Sequence, residues 1–166
     1  MAVMSKSRSS TPNDYDTTPA GRLSEASLHL VLGYQLAQAT IVTNAVFTEQ
    51  VGGPHELRPV EYTVLALIHE NPDVSAARLA KALAVTAPNI AAWIDRLEKR
   101  GLIRRIPHAT DRRTQHLRAT PAGATLVAKA TQSVLKGEED ALAPLTEGER
   151  MILVELLHKV ASCRGA

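Results

Sequence analysis

The sequence predicts a mainly α fold with a small β wing. Three observations carry that expectation. Apolar residues make up 45% of the 166-residue chain but aromatics only 3%, so the core must be aliphatic and alanine-rich, which favours packed helices. Apolar positions recur at helical spacing over several long stretches. Over residues 75–120 the pattern runs helix, tight turn, helix and a basic two-stranded hairpin, the plan of a winged helix-turn-helix.

In chain order, residues 1–22 are rich in Ser, Thr, Pro and Asp with no hydrophobic period, and are expected to be a disordered tail. A long helix is expected over 24–50, where Leu28, Val31, Leu32, Leu36, Val42 and Val46 give more apolar surface than one neighbour covers; Gly52-Gly53-Pro54 should end it. Pro59–Glu70 reads as a second helix, with Tyr62, Leu65, Ala66 and Ile68 as core candidates and Asn71-Pro72 as its stop.

Ser75 then caps a short helix to about Ala82 that turns Leu79, Ala80 and Leu83 inward, and Leu83-Ala84-Val85 makes the turn. Thr86 is the expected N-cap of the next helix, 86–100. Its Ile90, Trp93, Ile94 and Leu97 form one buried stripe, and Pro88 sits in the first turn, where it costs no intrahelical bond. Gly101 stops it. Two β-prone runs, 102–106 and 114–118, enclose a polar tip that ends in Arg112-Arg113.

Thr120-Pro121 starts another long helix, running to about Leu142 and broken by Pro144. Thr146 and Glu149 form a capping box for the last helix, whose Met151, Ile152, Val154, Leu156, Leu157 and Val160 make an apolar face. These terminal helices hold the chain's apolar surplus, and a second copy in a two-fold dimer is the most economical cover. The expected organisation is a tail over 1–22, an N-terminal dimerisation helix over 23–57, a winged helix-turn-helix over 58–119 and C-terminal dimerisation helices over 120–166.

The free face of the 86–100 helix carries Pro88, Ala92, Arg96 and Lys99, with Asn89 and Asp95 at its flanks, a narrow polar surface suited to a major groove. Thr86 and Ala87 at its start, Ser75 and Arg78 on the bracing helix, and His108, Arg112 and Arg113 in the wing complete the candidate DNA-binding set. Charge sorts the same way: residues 75–118 hold ten Lys/Arg against three acids, and the rest of the chain nine against fourteen. A chain of net charge +2 would not by itself suggest nucleic acid, but this segregation does, and double-stranded DNA is the expected partner.

Other chemistry finds little footing. The six histidines are scattered without an i, i+4 pair, so no metal is expected. Glu138-Glu139-Asp140 are consecutive and point different ways around a helix. No phosphate loop, nucleophile elbow or Cys/His pair is present, so neither an enzyme nor a cofactor is expected. A single cysteine, Cys163, excludes an intramolecular disulfide. No apolar run approaches the ~18 residues of a membrane span and the N-terminus lacks a hydrophobic signal core, so a soluble, cytoplasmic protein is expected, with no membrane partner.

Residues 79–90, LAKALAVTAPNI, followed by 93–103, WIDRLEKRGLI, resemble the winged helix of the MarR (multiple antibiotic resistance regulator) transcription factors. Asp111-Arg112-Arg113 and residues 117–123, LRATPAG, are similar to that family's wing signature and the Leu-Thr-Pro-x-Gly element after it. Three departures stand out: Ala84 where a turn glycine is usual, His108 where the wing's first aspartate is common, and Ala87, Ala91 and Ala92 at recognition-helix positions that often carry polar side chains.

The resemblance implies a homodimeric transcriptional regulator on a pseudo-palindromic operator, a repressor released by a small phenolic or carboxylate effector; the apolar, aromatic-poor terminal helices make a small, largely apolar guest the expectation from the residues themselves. It also implies that one wing arginine braces Asp95 while the other enters the minor groove; Arg112 is assigned to the brace and Arg113 to DNA. A crevice between the terminal helices and the winged helix would take the effector, with Arg22, His29, Tyr34 or His69 as its polar anchor. The alanine-rich recognition helix keeps an alternative open, a winged-helix protein-interaction module with weak or no DNA binding.

Overall fold

The computed structural model describes residues 17–107 and 115–164. The expected tail over 1–16 and the wing tip, with His108, Arg112 and Arg113, lie outside the described residues. The chain divides between Thr43 and Asn44 into two units.

In the first unit the helix expected from residue 24 begins only at Leu32, as α1 (Leu32–Phe47). Side chains from its first turns hold the preceding backbone in successive turns instead. Tyr34 donates its hydroxyl to Glu25 Oε2, Gln35 Nε2 donates to the His29 carbonyl at 2.9 Å, and the Leu28 and Val31 amides reach back three residues at 2.7 and 2.8 Å. Residues 17–22, expected within the tail, carry local structure: Thr17 bridges Ser24, and the Thr18 amide donates to the Leu23 carbonyl at 2.8 Å.

The second unit opens on the end of α1, which does not stop at Gly52-Gly53-Pro54. It runs on through a π-helical segment, Thr48–Gly52, into a last turn, α2 (Gly53–His55). Both glycines keep right-handed helical angles, and Pro54 falls in the first turn of α2, where its missing N–H is not needed. The path ends at Glu56, which is left-handed at φ 49°. That change of direction buries Leu57 beside Val51.

Next come α3 (Pro59–Glu70), β1 (Val74–Ser75), α4 (Ala76–Leu83), α5 (Ala87–Lys99), β2 (Ile103–Pro107), β3 (Gln115–Ala119), α6 (Pro121–Ala141) and α7 (Glu147–Ser162). The predicted two-stranded wing is the larger part of a three-stranded antiparallel sheet ordered β1-β3-β2. β1 was not predicted because two residues are too short to show alternation. It pairs Val74 with Leu117 and Ser75 with His116.

Two left-handed residues shape the DNA-reading half. Gly101, at φ 68°, follows α5, with the Leu102 amide donating to the Leu97 carbonyl at 3.0 Å and the Gly101 amide to Glu98 at 2.8 Å. This is a Schellman stop. The same pattern closes α4 on Ala84, at φ 53°, with Val85 bonding Ala80 and Ala84 bonding Lys81. Here a Cβ sits where glycine is at ease, so the turn keeps its geometry under strain.

A single core joins these elements: Val64, Leu65 and Ile68 of α3, Leu79 of α4, Ile90, Ile94 and Leu97 of α5, Ile103 and Leu117 of the sheet, and Val127 and Ala130 of α6. Gly123 lets α6 start hard against the sheet, since a Cβ there would lie 2.0 Å from the Leu102 carbonyl oxygen. Farther along, the Tyr62 and Thr131 hydroxyls meet at 2.7 Å and tie α6 to α3.

Candidate nucleic-acid interface

Helix α5 is buried along Ile90, Ile94 and Leu97, and the residues between those positions decide what it can offer. Thr86, Ala87, Pro88, Asn89 and Ala92 are all exposed at its N-terminal half, and Lys99 is exposed at its end. Thr86 has the extended backbone of an N-cap, but its side chain makes no cap bond. The first turn therefore has amides not capped by Thr86 and a positive dipole end, both suited to a phosphate. On α4, Arg78 is exposed, while Ser75 is half-buried and accepts the Arg78 amide at 3.3 Å as N-cap.

Arg96 is held differently from its neighbours on the predicted face. Its Nε donates to Glu61 Oε1 at 2.5 Å, and Glu61, on the first turn of α3, is only 5% exposed. The other Glu61 oxygen accepts the Arg58 amide at 3.1 Å. Burial, the largest single influence on this carboxyl, pushes its pKa up, but the Arg58 amide and the Arg96 guanidinium together hold it below the ordinary value. Arg96 thus locks the middle of α5 to the start of α3. A second tie lies one turn on, where Arg100 donates to the His55 and Glu56 carbonyls at 2.8 and 2.9 Å.

Asp95 is braced from β2. Arg105 donates to its Oδ1 and also lies 3.5 Å from Glu98, so one guanidinium spans two acids on consecutive turns of α5. Arg112, assigned to Asp95 from the sequence, lies outside the described residues, as do His108 and Arg113. Sequence reasoning passed over Arg105, Glu61 and Arg100. Strand alternation was the available signal for the first, because Arg105 pairs with buried Leu117 and so faces the core side of the sheet. Nothing local in the sequence marks Glu61 or Arg100, whose partners are 35 and 45 or 44 positions away.

Beside the sheet, Arg118 grips Asp73 through Nε at 2.7 Å and Nη2 at 2.5 Å, and that bidentate contact holds the Asp73 carboxyl below its usual pKa. This fixes the loop leading into α4. Of the candidate effector anchors, Arg22, His29 and Tyr34 belong to the first unit and His69 to the second, at the end of α3. The hydrogen bond to Glu25 raises the Tyr34 phenol pKa. Among the described residues no group of three His, Cys, Asp or Glu is placed to hold a metal ion, and no helix is long and apolar enough to cross a membrane.

Residues 57–114 match the model of the MarR family. A protein of Thauera aromatica named as a transcriptional regulatory protein for the hcr operon is 33% identical over 129 residues, which cover 78% of this chain and 78% of that one. Among solved structures, the transcriptional repressor CouR bound to a 23-mer DNA duplex is 32% identical with a TM-score of 0.76, covering 84% of this chain and 98% of CouR. A transcriptional regulator from Pseudomonas aeruginosa is 28% identical with a TM-score of 0.71, covering 80% of this chain and 98% of that one.

Proposed function

The chain belongs to the MarR family of transcriptional regulators, and on that premise we propose that it is a homodimeric repressor that holds a pseudo-palindromic operator through one α5 per half-site and leaves it when a small effector binds. The observation that carries this reading is the state of α5. One side of the helix is sunk in the core and tied down through Arg96, Arg100 and Asp95, while Pro88, Asn89 and Ala92 stand exposed on its N-terminal half. A rigidly mounted helix with a narrow free edge suits a major groove. CouR, the DNA-bound repressor with a similar chain, supports the same use.

In this reading Asn89 reads a base, because its amide can bond an adenine edge bidentately. Thr86, Ala87 and the α5 N-terminus meet phosphate, as do Ser75 and Arg78. Lys99 adds charge at the far end, and Arg96 acts chiefly by orienting the helix. Arg113, with His108, serves the wing's contact with the minor groove, and Arg112 adds to the Asp95 brace that Arg105 already makes.

Dimerisation is supported by α7. Met151, Ile152 and Val154 are 69%, 57% and 68% exposed, and Leu156, Leu157 and Val160 are exposed as well. So large an apolar face calls for a partner. A second copy would cover it and set two recognition helices about one DNA turn apart. The dimerisation helices are then residues 23–57 and 120–166, and 58–119 read the DNA.

The competing reading, a protein-docking module, is favoured only by the small exposed side chains Ala87, Ala91 and Ala92. A mobility-shift assay with DNA from upstream of the chain's own gene separates the two. The repressor reading expects a discrete, salt-sensitive complex that unrelated DNA does not compete away, and binding no tighter than to unrelated DNA refutes it.

A further inference from the structure

The second unit contains a cleft of about 440 Å³ where the end of α3, the β2–β3 pair and the start of α6 meet. Its walls are the end of α3, with Ile68, His69 and Pro72, the strands β2 and β3, with Arg104 and Arg118, and the start of α6, with Thr120, Pro121 and Ala124. The volume lies within the range of small-molecule sites, and the lining is mostly apolar with a few convergent polar groups.

Its charge is unbalanced. Arg104 and Arg118 stand directly opposite one another in the β2–β3 register, which places two guanidiniums side by side on one face. Like charges so placed repel. Asp73 neutralises Arg118, with both carboxylate oxygens engaged, but Arg104 has no hydrogen-bond or ion-pair partner among the described residues. His69 adds a ring N–H donor on the facing wall, and the Thr120 hydroxyl is turned to the Gly101 carbonyl at 2.7 Å.

We propose that this cleft binds a small organic anion, its acid group on Arg104 and His69 and its apolar body against Pro72, Pro121 and Ala124. A guanidinium fork favours a carboxylate or phosphate bound through two oxygens. Arg104 also sits next to Arg105 on β2. Successive strand residues face opposite sides, so the strand that carries the anion on one face carries the Asp95 and Glu98 contacts of α5 on the other. Occupancy on one side therefore biases the seating of the recognition helix on the other. This second step rests on the reading of the chain as an operator-binding regulator.

The test uses the full chain, with cyclohexanecarboxylate, the neutral cyclohexanecarboxamide and inorganic phosphate titrated at constant ionic strength. Melting temperature reports binding, and fluorescence anisotropy reports operator affinity. The carboxylate should raise the melting temperature and weaken operator binding about 5-fold or more, while the amide and phosphate should bind at least about tenfold more weakly. Arg104→Gln, a change at an exposed strand position, should lose the carboxylate response and keep the melting temperature of the unliganded protein. An equal response in Arg104→Gln, or from the amide, overturns the site. Phosphate binding as well as the carboxylate overturns the organic body. Carboxylate binding without change in operator affinity overturns the coupling. Failure of the unliganded protein to bind operator overturns the regulator reading alone, since the melting data judge the cleft independently.

Discussion

Removing the Glu61 carboxylate should both destabilise the protein and release the recognition helix. Deleting one partner of a fully buried ion pair costs about 3–5 kcal/mol. Here the Arg96 side chain is 42% exposed, so the stranded guanidinium regains part of its hydration, and about 2–3 kcal/mol is expected for Glu61→Ala. For a chain of this size that lowers the melting temperature by roughly 4–12 °C. Arg96→Ala strands a carboxylate that keeps only the Arg58 amide, and its cost should be similar.

The double variant should lose at least about 1 kcal/mol less than the sum of the two single changes, because both remove one interaction. Urea denaturation of the four proteins measures this. Acid provides an independent check. The folded pKa of Glu61 lies below its unfolded value of about 4.3, so its contribution is fully present above that pH and is lost as pH falls through the lower folded value. Wild type should therefore lose stability more steeply than Glu61→Gln below about pH 4.3. Additivity within about 0.5 kcal/mol, together with parallel pH profiles, would refute the pairing as the source of α5's anchorage.

Ala84→Gly should raise stability by about 0.5–1 kcal/mol, the relief of a left-handed alanine less the extra freedom of the unfolded chain, as read from the urea midpoint. Gly123→Ala should cost at least about 3 kcal/mol or abolish folding, because its Cβ meets backbone oxygen rather than a side chain that can swing away; soluble yield and thermal melts decide, and a near-normal melt contradicts the packing. Asn89→Ala should relax discrimination at one base position by about 1–3 kcal/mol, whereas Arg113→Ala should weaken all sequences alike and make the salt dependence shallower. Competition binding over operator variants distinguishes these patterns, and equal losses on every sequence from both changes contradict the division of roles.

Where periodicity and capping chemistry were strong, the sequence was a good guide to the fold. Pro59–Glu70 was placed to the residue, α5 and α7 to within one, and the Thr146–Glu149 capping box is present with the Thr146 amide donating to Glu149 at 2.8 Å. The failures have physical causes. Residues 24–31 have helical periodicity, but side-chain bonds from Tyr34 and Gln35 back to Glu25 and His29, nine and six positions away, hold the segment in turns, and apolar periodicity does not register such bonds. Gly52-Gly53-Pro54 looks like a stop because proline has no N–H to bond the turn before it, yet a π segment leads into a new turn in which Pro54 falls where that N–H is not required.

The candidate interface divides in the same way. Exposure of Pro88, Asn89 and Ala92 follows from the buried stripe on the same helix and could be read locally. The anchors could not. Arg96 falls with the groove-facing residues by helical geometry, which gives its direction but not the acid waiting on α3. The resemblance implies an arginine brace on Asp95; Arg105 of β2 makes one, sharing the inner face of the sheet with Leu117, while Arg112 lies outside the described residues.

The central claim, a dimer reading a palindrome, is tested most directly by weighing the complex. Light scattering on the protein with a palindromic operator fragment should give two chains per duplex. If each subunit neutralises roughly 4 phosphates, the log–log slope of affinity against salt should be near −7. One chain per duplex, a monomer in solution at micromolar concentration, or a slope near zero would contradict the account.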